Sequence, residues 1–255
     1  MLNLLRVDIK RYCITKRFWL LALGYAALTP FLVGLFLFIL ARATGDSYQV
    51  SLAVFTVYSS MEAILLAMLI TGLLHEEVGE GIVRNKLISG QKRSHIFLSY
   101  CLLHALLALL LQLIALLGAC ILPLLLGAVW NLQGSELIRL TAISALASMA
   151  VSLFFTALYF CFCTSKAAFI LPGAVAIIMK VAMTVIMDAL YTESGIPKVS
   201  GATLKIYKGI DRFLPFAHLT DLPRWDNASY FWGSGVLILL SLTAGLLVFS
   251  RKDLK

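Results

Sequence analysis

The sequence predicts an all-α, polytopic membrane protein with six transmembrane helices, an N-terminal interfacial helix and a short cytoplasmic helix. Six apolar stretches each reach the roughly 20 residues that a helix needs to cross a bilayer. They cover residues 18–41, 50–74, 96–126, 138–162, 169–190 and 231–250. The chain is 61% hydrophobic, whereas a soluble domain is about half apolar. Its 255 residues leave no soluble segment long enough for a catalytic domain.

Residues 1–17 predict an amphipathic helix on the inner membrane surface, and residues 18–255 form the six-span domain. The apolar face of this first helix contains Leu2, Leu5, Ile9, Tyr12 and Cys13. Basic side chains lie elsewhere on it, as expected for a helix at a lipid interface. A simple basic anchor is the alternative interpretation. The apolar run that follows is longer than a signal-peptide core and lacks a clean cleavage site, which favours a retained span.

Basic residues predict that both termini are cytoplasmic. With that orientation, the inner segments hold 13 of the 21 Lys and Arg residues, and the two short outer loops hold only Arg42. Short-loop charge sets orientation, so we expect a multi-pass protein of the inner or plasma membrane. Charges flanking spans fit anionic lipid headgroups, not nucleic acid. The outer segment 191–230 also carries five basic residues, and its pattern predicts an amphipathic helix from about Thr203 to Phe213.

The longest loop on the predicted cytoplasmic side, residues 75–95, reads HEEVGEGIVRNKLISGQKRSH. Glycines at 79, 81 and 90 punctuate it, and glycine favours turns. Between them an apolar set, Ile82, Val83, Leu87 and Ile88, faces a polar set, Arg84, Asn85 and Lys86. The pattern predicts a short amphipathic helix bounded by turns.

Two charged residues fall near the middle of predicted spans. Glu62 lies twelve residues into the second span, and Lys180 lies ten residues from the outer end of the fifth. A charge at that depth costs about 2.5–3.5 kcal/mol on insertion scales, so it usually faces a partner or a wet cavity. Three interpretations are open: the two residues form an ion pair, they line a translocation path, or each has a separate structural role. His104 and Gln112 share one face of the third span, which predicts interhelical hydrogen bonds.

The chain shows no sign of enzymatic chemistry of its own. It contains no G-x-x-x-x-G-K-[ST] sequence, so we expect it to bind no nucleotide and to hydrolyse no ATP. Its five cysteines are absent from the 191–230 segment, which argues against a disulfide framework. Cys161 and Cys163 lack further nearby ligands, so no metal site is expected.

The loop nevertheless resembles a known family. Its residues Glu77, Gly81, Arg84, Asn85, Lys86, Leu87, Gly90 and Arg93, followed by Ile-Phe-Leu-Ser-Tyr, resemble the loop after the second span of type-two ABC exporter permeases. That family includes small bacterial permeases associated with antimicrobial-peptide export and immunity. The ending Phe249-Ser-Arg-Lys-Asp-Leu-Lys255 is similar to the usual end of such subunits.

The resemblance implies that this loop is a coupling helix that docks on a separate ABC ATPase subunit. The matching positions here are Glu76, Glu77, Gly81, Arg84, Asn85, Lys86, Gly90 and Arg93. It also implies two ATPase copies, which carry ATP and Mg²⁺, and a second permease chain, identical or homologous. The substrate would be hydrophobic or amphipathic, with an antimicrobial peptide as one candidate. The alternative is an ion-coupled secondary carrier that uses Glu62 and Lys180.

Overall fold

The computed structural model describes residues 2–14, 19–20, 23–24, 47–125, 134–163, 167–192, 195–220 and 229–251. All regular structure in these ranges is helical. The helices with described bounds are α1 (Leu2–Ile14), α2 (Ser47–Gly79), α3 (Ile82–Ile88), α4 (Arg93–Leu125), α5 (Gly134–Phe162), α6 (Ala167–Leu190), α7 (Gly201–Phe213), α8 (Pro215–Thr220) and α9 (Ser229–Arg251).

Four helical segments are long and apolar enough to cross a membrane, which confirms the predicted helical membrane character. They are Arg93–Ile114, Ile138–Phe162, Ala167–Leu190 and Tyr230–Arg251, at the positions predicted for spans three to six. The predicted first span lies almost wholly outside the described residues. The predicted second span falls within α2, whose side chains are described from Ser59 onward.

The four segments divide into two central helices and two peripheral ones. Residues inside the protein make up 67% and 61% of the most apolar windows of α4 and α5, but only 22% and 28% of those of α6 and α9. The exposed side chains of α6 and α9 are mostly large and apolar, such as Ile178 and Leu239. Such surfaces suit contact with acyl chains or with another membrane helix.

An aromatic cluster joins three helices at one end of the bundle. Phe97 of α4, Phe160 of α5 and Phe249 of α9 are fully buried, with ring centroids 5.6 Å apart for Phe97–Phe160 and 4.8 Å for Phe160–Phe249. Tyr100 adds a fourth ring, 5.5 Å from Phe160. We call this the α1 end of the bundle because α1 packs on α4 there.

Helices α7 and α8 lie at the opposite end. The predicted helix from about Thr203 to Phe213 is confirmed as α7, which begins at Gly201 and ends at Phe213. The sequence did not predict α8. This six-residue helix is almost entirely buried, and the Phe216 ring packs edge-on against Phe154 and Phe155 of α5.

His218 is the titratable residue within α8. One ring nitrogen, Nε2, lies 3.0 Å from the carbonyl oxygen of Asp211, and the ring packs 4.6 Å from Tyr230. Burial lowers the pKa of His218 to about 4. The imidazole is therefore neutral at physiological pH, and its Nε2–H donates to the carbonyl group.

Candidate functional site

Helix α3 stands between two turns at the α1 end. Gly81 and Gly90 flank it with φ angles of 72° and 83°, in the left-handed region that glycine adopts without a steric cost. Seven of the eight residues between them, Ile82–Ile88, form a separate helix that ends at the cap residue Ser89. The helix predicted between glycines is thus confirmed, and the glycines explain its bounds.

The Lys86 side chain points inward from α3, and its ammonium group contacts three side chains of neighbouring helices. Its Nζ lies 2.6 Å from Oδ1 of Asp8 in α1 and 2.8 Å from the Tyr100 hydroxyl in α4. The Tyr100 hydroxyl in turn donates a hydrogen bond to Oε2 of Glu77 in α2, which lies 3.8 Å from Nζ. We call Asp8, Glu77, Lys86, Ser99 and Tyr100 the Lys86 cluster. One ammonium group thus links four helices.

The cluster is almost dry, so its charges interact strongly. The Asp8 and Glu77 side chains are 1% and 4% exposed, and that of Lys86 is 11% exposed. Ser99 donates a hydrogen bond of 2.9 Å to the second Asp8 oxygen. Nζ of Lys86 also lies 4.2 Å from the Tyr100 ring centroid, within the range of a cation–π contact.

Two carboxyl groups share this single ammonium group, and they are not equivalent. Burial raises the pKa of Glu77, although the hydrogen bond from Tyr100 and the charge of Lys86 act in the opposite direction. Its Oε1 atom has no hydrogen-bond partner in the described part of the chain. Asp8 lies closer to the ammonium group, at 2.6 Å against 3.8 Å for Glu77.

A second ion pair links the same elements at the surface. Arg11 of α1 lies 3.0 Å from Glu80 in the turn before α3. The Arg11 and Glu80 side chains are 34% and 55% exposed, so solvent screens the pair and its contribution is under about 1 kcal/mol. The buried cluster therefore dominates the attachment of α3 to α1.

The outer face of α3 is open. Arg84, Asn85 and Ile88 are exposed, and the Ile88 side chain is 73% exposed. A bare isoleucine at the tip of a short helix is a contact point that a partner groove could cover. Beside it, a groove of about 460 Å³ runs along the end of α2 and includes Glu76 and Phe169 in its lining.

The predicted coupling residues therefore separate into an outer and an inner group. Arg84, Asn85 and Gly90 face outward, and Glu76 is half-buried at the groove. Glu77 and Lys86 face inward, although the sequence pattern placed Lys86 on the polar face with Arg84. Arg93 donates to the Phe249 carbonyl oxygen at 3.4 Å, which ties α4 to the end of α9.

Asp8 belongs to this site, although the sequence pattern did not indicate it. The predicted apolar face of α1 included Ile9, but the structure buries Asp8 and Tyr12 and leaves Ile9 36% exposed. Leu5, Asp8 and Tyr12 recur at intervals of three and four, which places Asp8 on the packed face. The feature of the sequence that could have indicated this site is a single carboxylate, Asp8, on the same helical face as Leu5 and Tyr12.

Glu62 and Lys180, the predicted intramembrane charges, are not joined. Glu62 is fully buried, and neither of its oxygens has a hydrogen bond or ion pair within the described residues. Ser148 of α5 lies beside the carboxyl group, outside hydrogen-bond geometry. Lys180 is half-buried on α6. Their energetic coupling stays a prediction.

His104 and Gln112 do form the predicted interhelical hydrogen bonds. Nδ1 of His104 lies 2.8 Å from the Thr156 hydroxyl, and Gln112 donates a bond of 2.5 Å to Ser144. Both partners belong to α5, so the two bonds fix the central pair of helices. This structural role is confirmed.

Comparison with known proteins does not assign the chain to a family. A scan against models of protein families gives no match for this chain, and a comparison with curated proteins gives none either. Within the described residues, no group of three His, Cys, Asp or Glu side chains could hold a metal ion. Helix α3 and its contacts are the features of the described residues that point to a function.

Proposed function

We propose that this chain is the transmembrane permease subunit of an ATP-driven ABC exporter. One observation carries the proposal. Helix α3 is set off by two left-handed glycines, attached by Lys86 to its neighbours, and exposed at Arg84, Asn85 and Ile88. One face of this short helix is anchored to its neighbours and the other is exposed. Such a helix can bind a partner protein and transmit the partner's movement.

Through the Lys86 cluster, a displacement of α3 would be transmitted to the membrane helices. Glu77 lies at the end of α2, and Tyr100 lies in the second turn of α4. Because Lys86 contacts both of them and Asp8 as well, α3 cannot shift without moving these helices or breaking a buried ion pair. Breaking it costs several kcal/mol, so joint movement is favoured.

The energy source in this proposal is a separate ATPase. Two ATPase subunits, each with ATP and Mg²⁺, dock on α3 of two permease chains in the inner or plasma membrane. Both termini of each chain face the cytoplasm. The substrate leaves the cell and is hydrophobic or amphipathic, with an antimicrobial peptide as one candidate. The exposed apolar faces of α6 and α9 agree with an intramembrane path for such a molecule.

Purification of the tagged chain, together with the products of its neighbouring genes, tests the docking. We expect an ATPase carrying a Walker sequence to co-purify and to hydrolyse ATP in nanodiscs. The double variant Arg84→Glu/Ile88→Glu should retain at least tenfold less ATPase than wild type, because it reverses a charge and removes the apolar contact.

Lys205→Glu is the matched control, since it reverses an exposed charge on α7 at the other end of the bundle. It should retain the ATPase, because its charge lies at the other end of the bundle from α3. Equal ATPase retention by the double variant and the control would contradict docking on α3. Export by the purified chain without any ATPase would overturn the proposed function as a whole.

A second candidate function is an ion-coupled secondary carrier. The observation in its favour is Glu62, a fully buried carboxyl group with no hydrogen-bond partner among the described residues. Intramembrane carboxyl groups often bind a coupling ion or proton. Transport by the purified chain that follows an ion gradient, needs no ATP and fails in Glu62→Gln would favour this candidate.

A further inference from the structure

Helix α7 is fixed where two membrane-spanning segments end. Tyr191, directly after the end of α6, donates a hydrogen bond of 2.5 Å to Asp211 of α7. At its other side, a Cβ atom added to Gly233 would overlap the Phe213 carbonyl group, so the end of α7 lies directly on the first turn of the α9 span. These two contacts place α7 at the boundary between the apolar spans and water.

The side chains of α7 form three separate faces. At about 100° per residue, Lys205, Lys208 and Arg212 fall within a sector of about 60°. We call these three residues the basic stripe. Leu204, Tyr207 and Ile210 pack against the core of the bundle.

The third face is apolar and exposed. Ile206 and Phe213 lie about 100° around the helix from the basic stripe, and their side chains are 60% and 53% exposed. Phe231 and Trp232 of α9 are exposed close by, in the turn that contacts the end of α7. Exposed aromatic rings at a span end are typical of a lipid interface.

No carboxylate neutralises the basic stripe within the described part of the chain. Its three side chains are exposed and form no ion pair there. Lys198, three residues before α7 begins, differs in this respect because its Nζ lies 2.7 Å from Asp188. Three exposed positive charges lie beside the exposed apolar face formed by Ile206 and Phe213, which we call the apolar ridge. This combination suits an occupant that is both anionic and partly apolar.

We propose that α7 binds the headgroups of anionic phospholipids. The basic stripe contacts the phosphate groups, while Ile206 and Phe213 insert among the upper parts of the acyl chains. A soluble acidic protein would satisfy the charges but leave the apolar ridge in water, so a lipid surface fits both faces. The proposal is independent of the exporter function, because it needs only the position and faces of α7.

Lipid binding to the purified full chain tests the site. The probes are phosphatidylglycerol and phosphatidylcholine with identical acyl chains, added to the protein in detergent, and bound lipids are counted by native mass spectrometry. We expect wild type to prefer phosphatidylglycerol. The variant Lys205→Gln/Lys208→Gln/Arg212→Gln should lose that preference by about 100-fold, because each charge near the surface contributes about fivefold.

Two matched variants make the result specific. Lys198→Gln removes one positive charge from the same segment but from an existing ion pair, so it should keep the wild-type lipid preference. Ile206→Gln should weaken the binding of both lipids equally, because it changes the apolar ridge and leaves the basic stripe intact. The proposal is overturned if the triple variant keeps the wild-type preference, which is also the result expected if the stripe serves an acidic protein. Loss of preference in Lys198→Gln overturns it as well, because net charge would then explain the binding.

Discussion

Lys86 is the side chain that determines how the α1 end of the bundle holds together. It lies 2.6 Å from Asp8 but 3.8 Å from Glu77, and both carboxyl groups are buried. Two buried carboxylates beside one ammonium group would leave a net negative charge in a dry site. The raised pKa of Glu77 reduces that charge, because this group holds its proton more tightly.

Replacing Lys86 by methionine should destabilise the protein by about 3 kcal/mol, because Asp8 would then be buried without a cation. The double variant Asp8→Asn/Lys86→Met should recover most of this loss, since it leaves no unpaired charge. The free energy of unfolding in a denaturant titration of the detergent-solubilised chain measures both effects. Simple addition of the two single losses would falsify the pairing.

Arg11→Met and Glu77→Gln are the controls for that experiment. Arg11→Met breaks the exposed pair with Glu80, so it should cost under about 1 kcal/mol. The protonated Glu77 carboxyl stabilises the folded state below its unfolded pKa, and this contribution is lost as pH rises through the raised folded pKa. Glu77→Gln is neutral at every pH, so its stability relative to wild type should increase as pH rises through the raised pKa of Glu77.

The sequence identified part of this cluster and misjudged the rest. Glu77 and Lys86 were among the predicted site residues because they sit in a recognisable loop. Lys86 was nevertheless expected on the outer face, because helical periodicity over seven residues does not determine which polar side chain turns inward. Asp8 was missed because its partner is far away in the sequence, and a single-helix pattern contains no information about that partner.

Helices α4 and α9 approach closely at Gly245. A Cβ atom added there would overlap the ring of Phe97, which is fully buried beside Phe160 and Phe249 and has no room to turn. We therefore expect Gly245→Ala to destabilise the protein by about 1–3 kcal/mol through overpacking. Gly235, in the same helix, has no atom within 4 Å of an added Cβ.

Gly235→Ala is accordingly the matched variant, and it should be neutral or slightly stabilising because alanine favours a helix. Thermal unfolding of the two purified variants separates packing from helix propensity. A similar fall in melting temperature for both variants would show that loss of glycine itself, and not the Phe97 contact, matters in α9.

The elements were predictable to different degrees, for physical reasons. Long apolar stretches and the glycines around α3 gave helices close to those observed, because span length and left-handed turns are strong local constraints. Helix α8 was missed because six residues do not establish a period. Its burial depends on contacts such as Phe216 with Phe154, which only the assembled bundle provides.

In the part of the bundle that the structure describes, one side is incompletely covered. Helix α6 is peripheral, and Ile177, Val181 and Thr184 are exposed on one of its faces, with half-buried Lys180 at the edge. Polar groups at mid-span are poorly suited to face lipid. Ala176, on another face of the same helix, is fully buried in the chain's own core. A second chain on the exposed face of α6 would complete the assembly.

If α6 forms the contact between two permease chains, cysteines on its exposed face should cross-link. In a background without the native cysteines, we expect Val181→Cys to give a covalent dimer in membranes, because this side chain is 59% exposed and lies in the centre of the face. Leu239→Cys on peripheral α9, which is 64% exposed, is the matched control and should remain monomeric. Mass measurement of the detergent-purified particle should then give two permease chains. A particle that exports its substrate with one permease chain would exclude the dimer, and cross-linking at Leu239 alone would move the interface to α9.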